Sequence, residues 1–198
     1  MRTGKILRKT KETDIEISLN IDGKGKYDIK TPIGFFTHML EAFAKHGLFD
    51  INMDVKGDLG VDQHHTVEDT GIVLGQAFKE ALGNKKGINR AGYFIFPMDE
   101  ALAVAALDIS GRPYLKFNAK FKRRFCGELD TDLLEDFFYG FCVGLGANLA
   151  LQVQYGRSDH HKIEALFKAF TKAMKTACSK DKRAINELPS TKELIEKW

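Results

Sequence analysis

Cysteine is scarce in this chain and shows no pairing pattern. Cys126, Cys142 and Cys178 are odd in number and form no CxxC, so they read as small core residues in a reduced, cytoplasmic compartment. No long hydrophobic run occurs. Phe137–Ala147 is apolar but falls well short of the roughly 18 residues that cross a bilayer. The basic N-terminus has no apolar stretch behind it, so no signal peptide is expected. Charge of one sign is also lacking: 30 Lys+Arg against 27 Asp+Glu leave a net charge of +3, too little to suggest a nucleic-acid partner. The basic run Lys122-Arg123-Arg124 reads as a solvated loop. No low-complexity segment or linker divides the 198 residues, and with 43% hydrophobic content they are expected to form a single domain over 1–198.

What the chain does have is histidine in a repeated pattern. Four of its six histidines fall in two doublets, His64-His65-Thr66-Val67-Glu68 and His160-His161-Lys162-Ile163-Glu164. If each segment is helical, the first His and the Glu are four apart and the second His and the Glu three apart, so all three crowd one end of one helix face. Adjacent histidines diverge by about 100° on a helix, so one doublet does not easily chelate one ion. Two neighbouring ions, each taking one His of each doublet, suit the spacing better. A lone His-His is usually a surface or core feature; two copies with the same internal spacing point to metal. Neither HExxH nor HxxEH is matched.

The doublets belong to a longer repeat. A shift of 88 residues lays Glu12 on Glu100 and Leu19–Gly23 on Leu107–Gly111. With small gaps, a helix starting near His38 falls on one starting near Asp136, and strand-like segments Leu48–Val55 and Asn148–Tyr155 follow. Each half closes with a helix, Glu68–Leu82 and Glu164–Ala177. A repeat of this length exceeds a solenoid unit of roughly 20–50 residues and reads as a duplicated half-domain, about 1–88 and 89–198.

The periodicities fit. Asp14–Ile21 alternates strictly, as a half-buried strand does. Asp22-Gly23-Lys24-Gly25 is a turn leading to Lys26–Thr31, which predicts an opening hairpin. The second half opens likewise with Tyr93–Phe96, Ala101–Ile109, a turn at Ser110–Pro113, and Tyr114–Phe121. Ile163, Leu166, Phe167, Phe170 and Met174 make an apolar helical stripe, and Ile72, Ala77, Phe78 and Ala81 a weaker one. The predicted class is α+β, with two sheets each covered by helices and the pseudo-twofold bringing the two HHxxE ends close. Glu187–Lys192 reads as an ordered loop.

The segments FFTHMLEAFAKHGLFD, DQHHTVEDTGIVLGQAF, PMDEALAVAALDISGRPYL, DHHKIEALFKAF and LPSTK resemble the imidazoleglycerol-phosphate dehydratase family, in order, from about Arg8 to Lys192. The resemblance implies a ribosomal protein S5 domain 2-like repeat and a hydro-lyase of histidine biosynthesis. It would convert imidazole glycerol phosphate to imidazole acetol phosphate with two Mn²⁺ ions and no organic cofactor. It also implies a 24-subunit homo-oligomer whose sites are built by neighbouring copies. Softness alone would also admit Zn²⁺ or Fe²⁺ in a His/carboxylate site; manganese rests on the family.

Carried onto this chain, the implied ligands are His38, His64, His65 and Glu68 from the first half, and Asp136, His160, His161 and Glu164 from the second. Asp136 departs from the His or Glu the family carries there; Asp is a hard-oxygen donor, but shorter than Glu. A metal on the imidazole nitrogens favours the ring anion, which can expel a side-chain hydroxyl, and a carboxylate must then shuttle protons. Glu12 is the implied acid/base, His46 a substrate-contacting helper, and Asp99 a second candidate whose plain reading is a turn carboxylate. Arg90, Arg112, Lys168, Ser190, Thr191 and Lys192 match the family's phosphate-binding positions; on sequence alone each reads as an ordinary surface or turn residue. Two other readings stay open: a binuclear metallohydrolase, and a non-catalytic metal-binding shell protein.

Overall fold

Thr13–Asn20 (β2) alternates buried and exposed positions along its length, as a strand with one face on a core must. In the computed structural model, which describes residues 1–195, its antiparallel neighbours are β1 (Thr3–Lys9) and β4 (Asp50–Gly57), and β3 (Tyr27–Lys30) runs parallel to β4. The sheet order is β1-β2-β4-β3. A second sheet repeats it as β5-β6-β10-β7, formed by Ala91–Met98, Ala101–Asp108, Asn148–Tyr155 and Tyr114–Asn118. The first two strands of each sheet start 88 residues apart, at Thr3 and Ala91 and at Thr13 and Ala101.

The duplicated α+β architecture is therefore the one the sequence implies, but one pairing in each half differs. In neither half does the expected turn close a hairpin: β4 lies between the strands flanking Asp22–Gly25, β2 and β3, and β10 between those flanking Ser110–Pro113, β6 and β7. The reason is topological. β3 and β4 are parallel, so α1 (Gly34–Gly47) must cross over between them. α3 (Leu133–Leu145) makes the same crossover from β7 to β10. The true opening hairpin is β1–β2, registered from Thr3↔Asn20 to Lys9↔Asp14. β1 escapes a periodicity search because its one fully buried position is Gly4, which lies against the Ala77 carbonyl.

Helices α2 (His64–Leu82) and α4 (Asp159–Cys178) each start a turn earlier than the expected Glu68 and Glu164, so the doublets lie inside the helices. α2 packs on β1 and β2, and α4 on β5 and β6. The halves join through their helices, α2 on α3 and α1 on α4. Glycine permits the first contact: Gly71 and Gly75 meet the Phe137 and Phe141 carbonyls, and Gly140 and Gly144 meet those of Glu68 and Ile72. Any Cβ there would force the helices apart. Phe43 and Phe170 stack at 5.4 Å across the second contact, within one apolar core that draws on both halves. Among the described residues no helix is long and apolar enough to cross a membrane.

The halves differ in one connection. Only residues 31–33 link β3 to α1, whereas residues 119–132 link β7 to α3. This longer link carries a small hairpin, β8 (Phe125–Cys126) and β9 (Leu129–Asp130).

Candidate metal centre and active site

Each doublet occupies the first turn of its helix, and there the two rings part. The first histidines look toward the opposite half. His64 Nε2 lies 3.6 Å from Glu68 and Nδ1 3.6 Å from Asp136. His160 Nε2 lies 3.3 Å from Glu164, and the His38 ring is 6.2 Å away between centroids. One ligand atom each from His38, His160 and Glu164 falls within 4.8 Å of the others. The two clusters are mirror arrangements in the repeat. The α1 residue joins the second doublet and the α3 residue joins the first.

The second histidines look toward the strand ends of their own half. His65 Nδ1 is 3.1 Å from Asp58 and its Nε2 is 3.8 Å from Glu12. His161 Nδ1 is 2.7 Å from Glu100 and its Nε2 is 3.7 Å from Asp99. Glu12 and Glu100 are repeat mates by position but not by role. Glu100 holds Nδ1, as Asp58 does in the first half, while Asp99 takes the place facing Nε2 that Glu12 has there. The cause is the hairpin loop. Pairing in the second half runs on to Met98↔Ala101, leaving the tight turn Asp99-Glu100 with Asp99 at φ 47. Thr10 closes the first loop through its N–H, which donates to Thr13 O at 2.8 Å, but its hydroxyl rather than its carbonyl accepts from Glu12 N and Thr13 N, at 3.1 and 3.0 Å.

A carboxylate on Nδ1 fixes the ring and turns the Nε2 lone pair toward a ligand. Asp58 and Glu100 thus orient the second histidines, a placement that sequence reasoning missed. Glu100 was visible as the mate of Glu12, whereas nothing in the sequence ties Asp58 to His65. The carboxylates also raise both imidazoles above their ordinary pKa, through the Asp58 hydrogen bond for His65 and the Glu100 hydrogen bond for His161. The bond to His161, with Ser158 N–H, lowers Glu100 to about 2. In metal-free protein, NMR titration is expected to find both rings protonated at higher pH than a free imidazole at about 6.5. Glu100→Gln should bring His161 back down and leave His65 where it was; an unmoved His161 would remove Glu100 from this role.

The substrate-side candidates divide into two groups. Lys168 sits a turn beyond Glu164 and meets it at 2.7 Å, with Phe96 under its ammonium at 5.5 Å. His46 packs edge-on to Phe96 at 6.2 Å. Burial, then the Lys168 and Lys172 charges, hold the His46 ring below its ordinary pKa. Burial raises Glu164, but the Lys168 hydrogen bond and charge, with the nearby His38 and His160, more than offset it and the carboxyl ends below its ordinary value. Arg90 lies elsewhere, bidentate to Asp108 at 2.7 and 3.0 Å and donating to Pro189 O at 2.9 Å. It thereby anchors the loop bearing Ser190, Thr191 and Lys192. Arg112 is exposed in the turn after β6, its carbonyl held by Asn148.

The two ends of this arrangement are far apart. Arg90 precedes β5, and Asp99 and Glu100 follow it; eight residues of strand span about 26 Å at roughly 3.3 Å each. α4 gives a similar length, since its first turn carries His161 beside Glu100 and its last turn accepts Arg90 N at Ala177 O. A single copy therefore does not bring Arg90 and the Ser190–Lys192 loop to its own doublets.

Fold and site together define a class, a duplicated α+β enzyme with His/carboxylate clusters at the starts of pseudo-equivalent helices. The sequence profile of Imidazoleglycerol-phosphate dehydratase matches residues 31–174. The chain belongs to the imidazoleglycerol-phosphate dehydratase family, and it is a hydro-lyase of histidine biosynthesis. It is 58% identical over 195 residues to the imidazoleglycerol-phosphate dehydratase of Koribacter versatilis, an alignment covering 98% of this chain and all of that one. Two crystal structures of the family superpose on it. That from Staphylococcus aureus is 37% identical with a TM-score of 0.81, covering 90% of this chain and 99% of its own. That from Pyrococcus furiosus, in complex with (S)-C348, is 34% identical with a TM-score of 0.83, covering 96% and 99%.

Proposed function

We propose that this chain converts imidazole glycerol phosphate to imidazole acetol phosphate with two Mn²⁺ ions per site, and that each site is completed by neighbouring copies in a 24-subunit shell. The observation that carries the shared site is the separation just described. A three-carbon phosphate bearing one imidazole ring cannot reach from the doublets to Arg90 within one copy. Docking the Arg90 end of one copy against the doublet end of another brings both to one substrate. The donor set fits a divalent ion of intermediate hardness. It is imidazole and carboxylate, and the three cysteines are buried. His38, His160 and Glu164 would hold one ion and His64, Glu68 and Asp136 another, with His65 and His161 offering Nε2 toward a neighbour.

Such ions supply Lewis acidity toward the ring nitrogens of the substrate. The remaining work falls to side chains. Water is lost as hydroxyl from the carbon attached to the ring and as a proton from the next carbon; the resulting enol then becomes the ketone. Glu12, exposed beside His65 Nε2, can take that proton and return one to carbon. His46, beside Lys168 and Lys172 and held below its ordinary pKa, can donate or accept a hydrogen bond. Arg90, Arg112, Lys168, Ser190, Thr191 and Lys192 would fix the phosphate, the guanidinium forks bidentately. Incubating the purified chain with imidazole glycerol phosphate and Mn²⁺ tests the reading. Ketone formation supports it, and ester hydrolysis, or metal uptake without turnover, would replace it.

Assembly gives a second measurement. Where ions are shared between copies, metal binding free energy is also assembly free energy. Chelation, or acid sufficient to protonate the ligand histidines, is expected to release smaller units such as trimers. Mn²⁺ near neutral pH should rebuild the large particle and its activity together. Light scattering that finds a small particle fully active with metal bound would refute the shared site.

A further inference from the structure

The longer link between β7 and α3 has no counterpart in the first half, and its contacts single out two side chains. Gln63 and Asp159 are repeat mates in the plainest sense, each standing directly before a doublet. Both reach out to grip this link. The Gln63 amide donates to Glu128 O at 2.6 Å and accepts from Asp130 N at 3.1 Å. It completes the edge of β9 as a neighbouring strand would. Asp159 Oδ2 accepts from Lys122 N and Arg123 N, each at 2.9 Å. Its other oxygen takes Lys162 Nζ at 2.8 Å, and that ammonium also donates to Lys120 O at 3.1 Å.

These grips are built rather than incidental. Asp159 and Lys162 are only 6% and 5% exposed, and a buried pair of this kind holds its position because neither charge can be left alone. Gln63 occupies the N-cap of α2 yet makes no capping bond; Asp62 accepts from His64 N at 2.7 Å instead, leaving Gln63 for the link. Leu129, fully buried, and Thr131, donating to Arg123 O at 2.9 Å, fasten the link between its two grips. A third contact leads to a ring. The β8–β9 turn at Gly127 packs so closely on Phe35 that a Cβ there would lie 2.9 Å from Phe35 Cβ, and the Phe35 ring lies edge-on to His160 at 4.9 Å.

We infer that residues 119–132 form a strap that ties the starts of α2 and α4 together, and that Gln63 and Asp159 are positioning residues through which it sets both histidine doublets. The strap makes one body of two clusters that belong to different halves. The consequence for metal binding rests on the reading that these doublets hold ions; the coupling itself does not. Residues 122–124, the basic run, are carried by the strap through their backbone, leaving their side chains in solvent.

The test uses the full chain. In metal-free protein, Gln63→Ala is expected to shift the ring resonances of His160 and His161 in the other half, and Asp159→Asn those of His64 and His65. Amide exchange at Lys122, Arg123 and Asp130 should quicken in both. With Mn²⁺ added, affinity is expected to fall about ten- to a hundredfold, the range seen when partners behind a ligand are removed, with turnover falling more than KM rises. Gln63→Glu keeps the acceptor for Asp130 N and loses the donor, so it should fall between wild type and Ala; it also serves should Ala fold poorly. Ring shifts confined to the doublet next to each substitution would overturn the strap. So would unchanged Mn²⁺ affinity in a wild type that binds it. A wild type that binds no Mn²⁺ at all would defeat the metal reading, and the ring shifts would still decide the coupling.

Discussion

His160→Asn is expected to lower turnover of imidazole glycerol phosphate by about 10³-fold or more, and to lose bound Mn²⁺ in proportion. The size follows from what a bound ion supplies. Lewis-acid stabilisation amounts to several kcal/mol, and each 1.4 kcal/mol is about tenfold in rate. The direction follows from position. His160 gathers Glu164 and His38 within ligand distance, and it is exposed, so the ring is not needed to fill the core. Asn keeps a polar side chain at the helix start, and a surface change of this kind ordinarily alters stability by less than about 0.5 kcal/mol. The variant should therefore melt near wild type in metal-free form while failing to take up metal. His64→Asn, its mirror across the repeat, should do the same. Calorimetric Mn²⁺ titration and initial rates would check both, and wild-type metal content with wild-type rates in either would end the two-cluster reading. His161→Asn separates the clusters further. It leaves the His38, His160 and Glu164 group intact but removes the Nε2 that Glu100 aims outward, so its loss should be felt by the assembled particle more than by an isolated chain.

Much of this was legible in the sequence because it repeats. The 88-residue shift found the duplicated sheets, and the matched HHxxE spacing tied each doublet to the start of a helix, with the Glu four residues after its first His. What escaped depends on contacts that no local pattern encodes. β3 was assigned to a hairpin with β2 because a turn separates them; its true neighbour β4 arrives only after the α1 crossover. The expected sharing of one ion between the doublets is not formed within one chain, where His64 and His160 lie in separate clusters with Asp136 and His38. Those partners come from the opposite half, so crosswise packing of the helices, invisible to periodicity, decides them. Glu12 and Glu100 align by position and part by role because the Thr10 hydroxyl takes the place of a backbone acceptor in one hairpin turn and not in the other. The strap was visible only as a gap in the repeat.

That divergence makes Glu12 the place where a single oxygen-to-nitrogen change should cost most without touching a cluster. Glu12→Gln is expected to reduce turnover by about 10²-fold or more, within the usual range for a lost acid/base group, while Mn²⁺ content, particle size and substrate affinity stay near wild type. Three observations support that separation. Glu12 is exposed and lies outside both first-histidine clusters. Its backbone is held independently of its carboxyl, with N–H on the Thr10 hydroxyl and C=O on Asp58 N, so Gln should occupy the same place. The Nδ1 side of His65 is kept by Asp58, so the ring does not depend on Glu12 for its orientation. The repeat supplies the control. Glu100→Gln removes a carboxylate of the same repeat position that holds a histidine rather than facing open space. It should weaken metal binding and lower His161's pKa, with its turnover loss recovered at high Mn²⁺. Glu12→Gln should show no such recovery, because no added metal replaces a missing proton carrier. Near-normal turnover in Glu12→Gln would transfer the role to Asp99, which faces Nε2 of His161 at 3.7 Å, and Asp99→Asn would then be the variant that loses the rate.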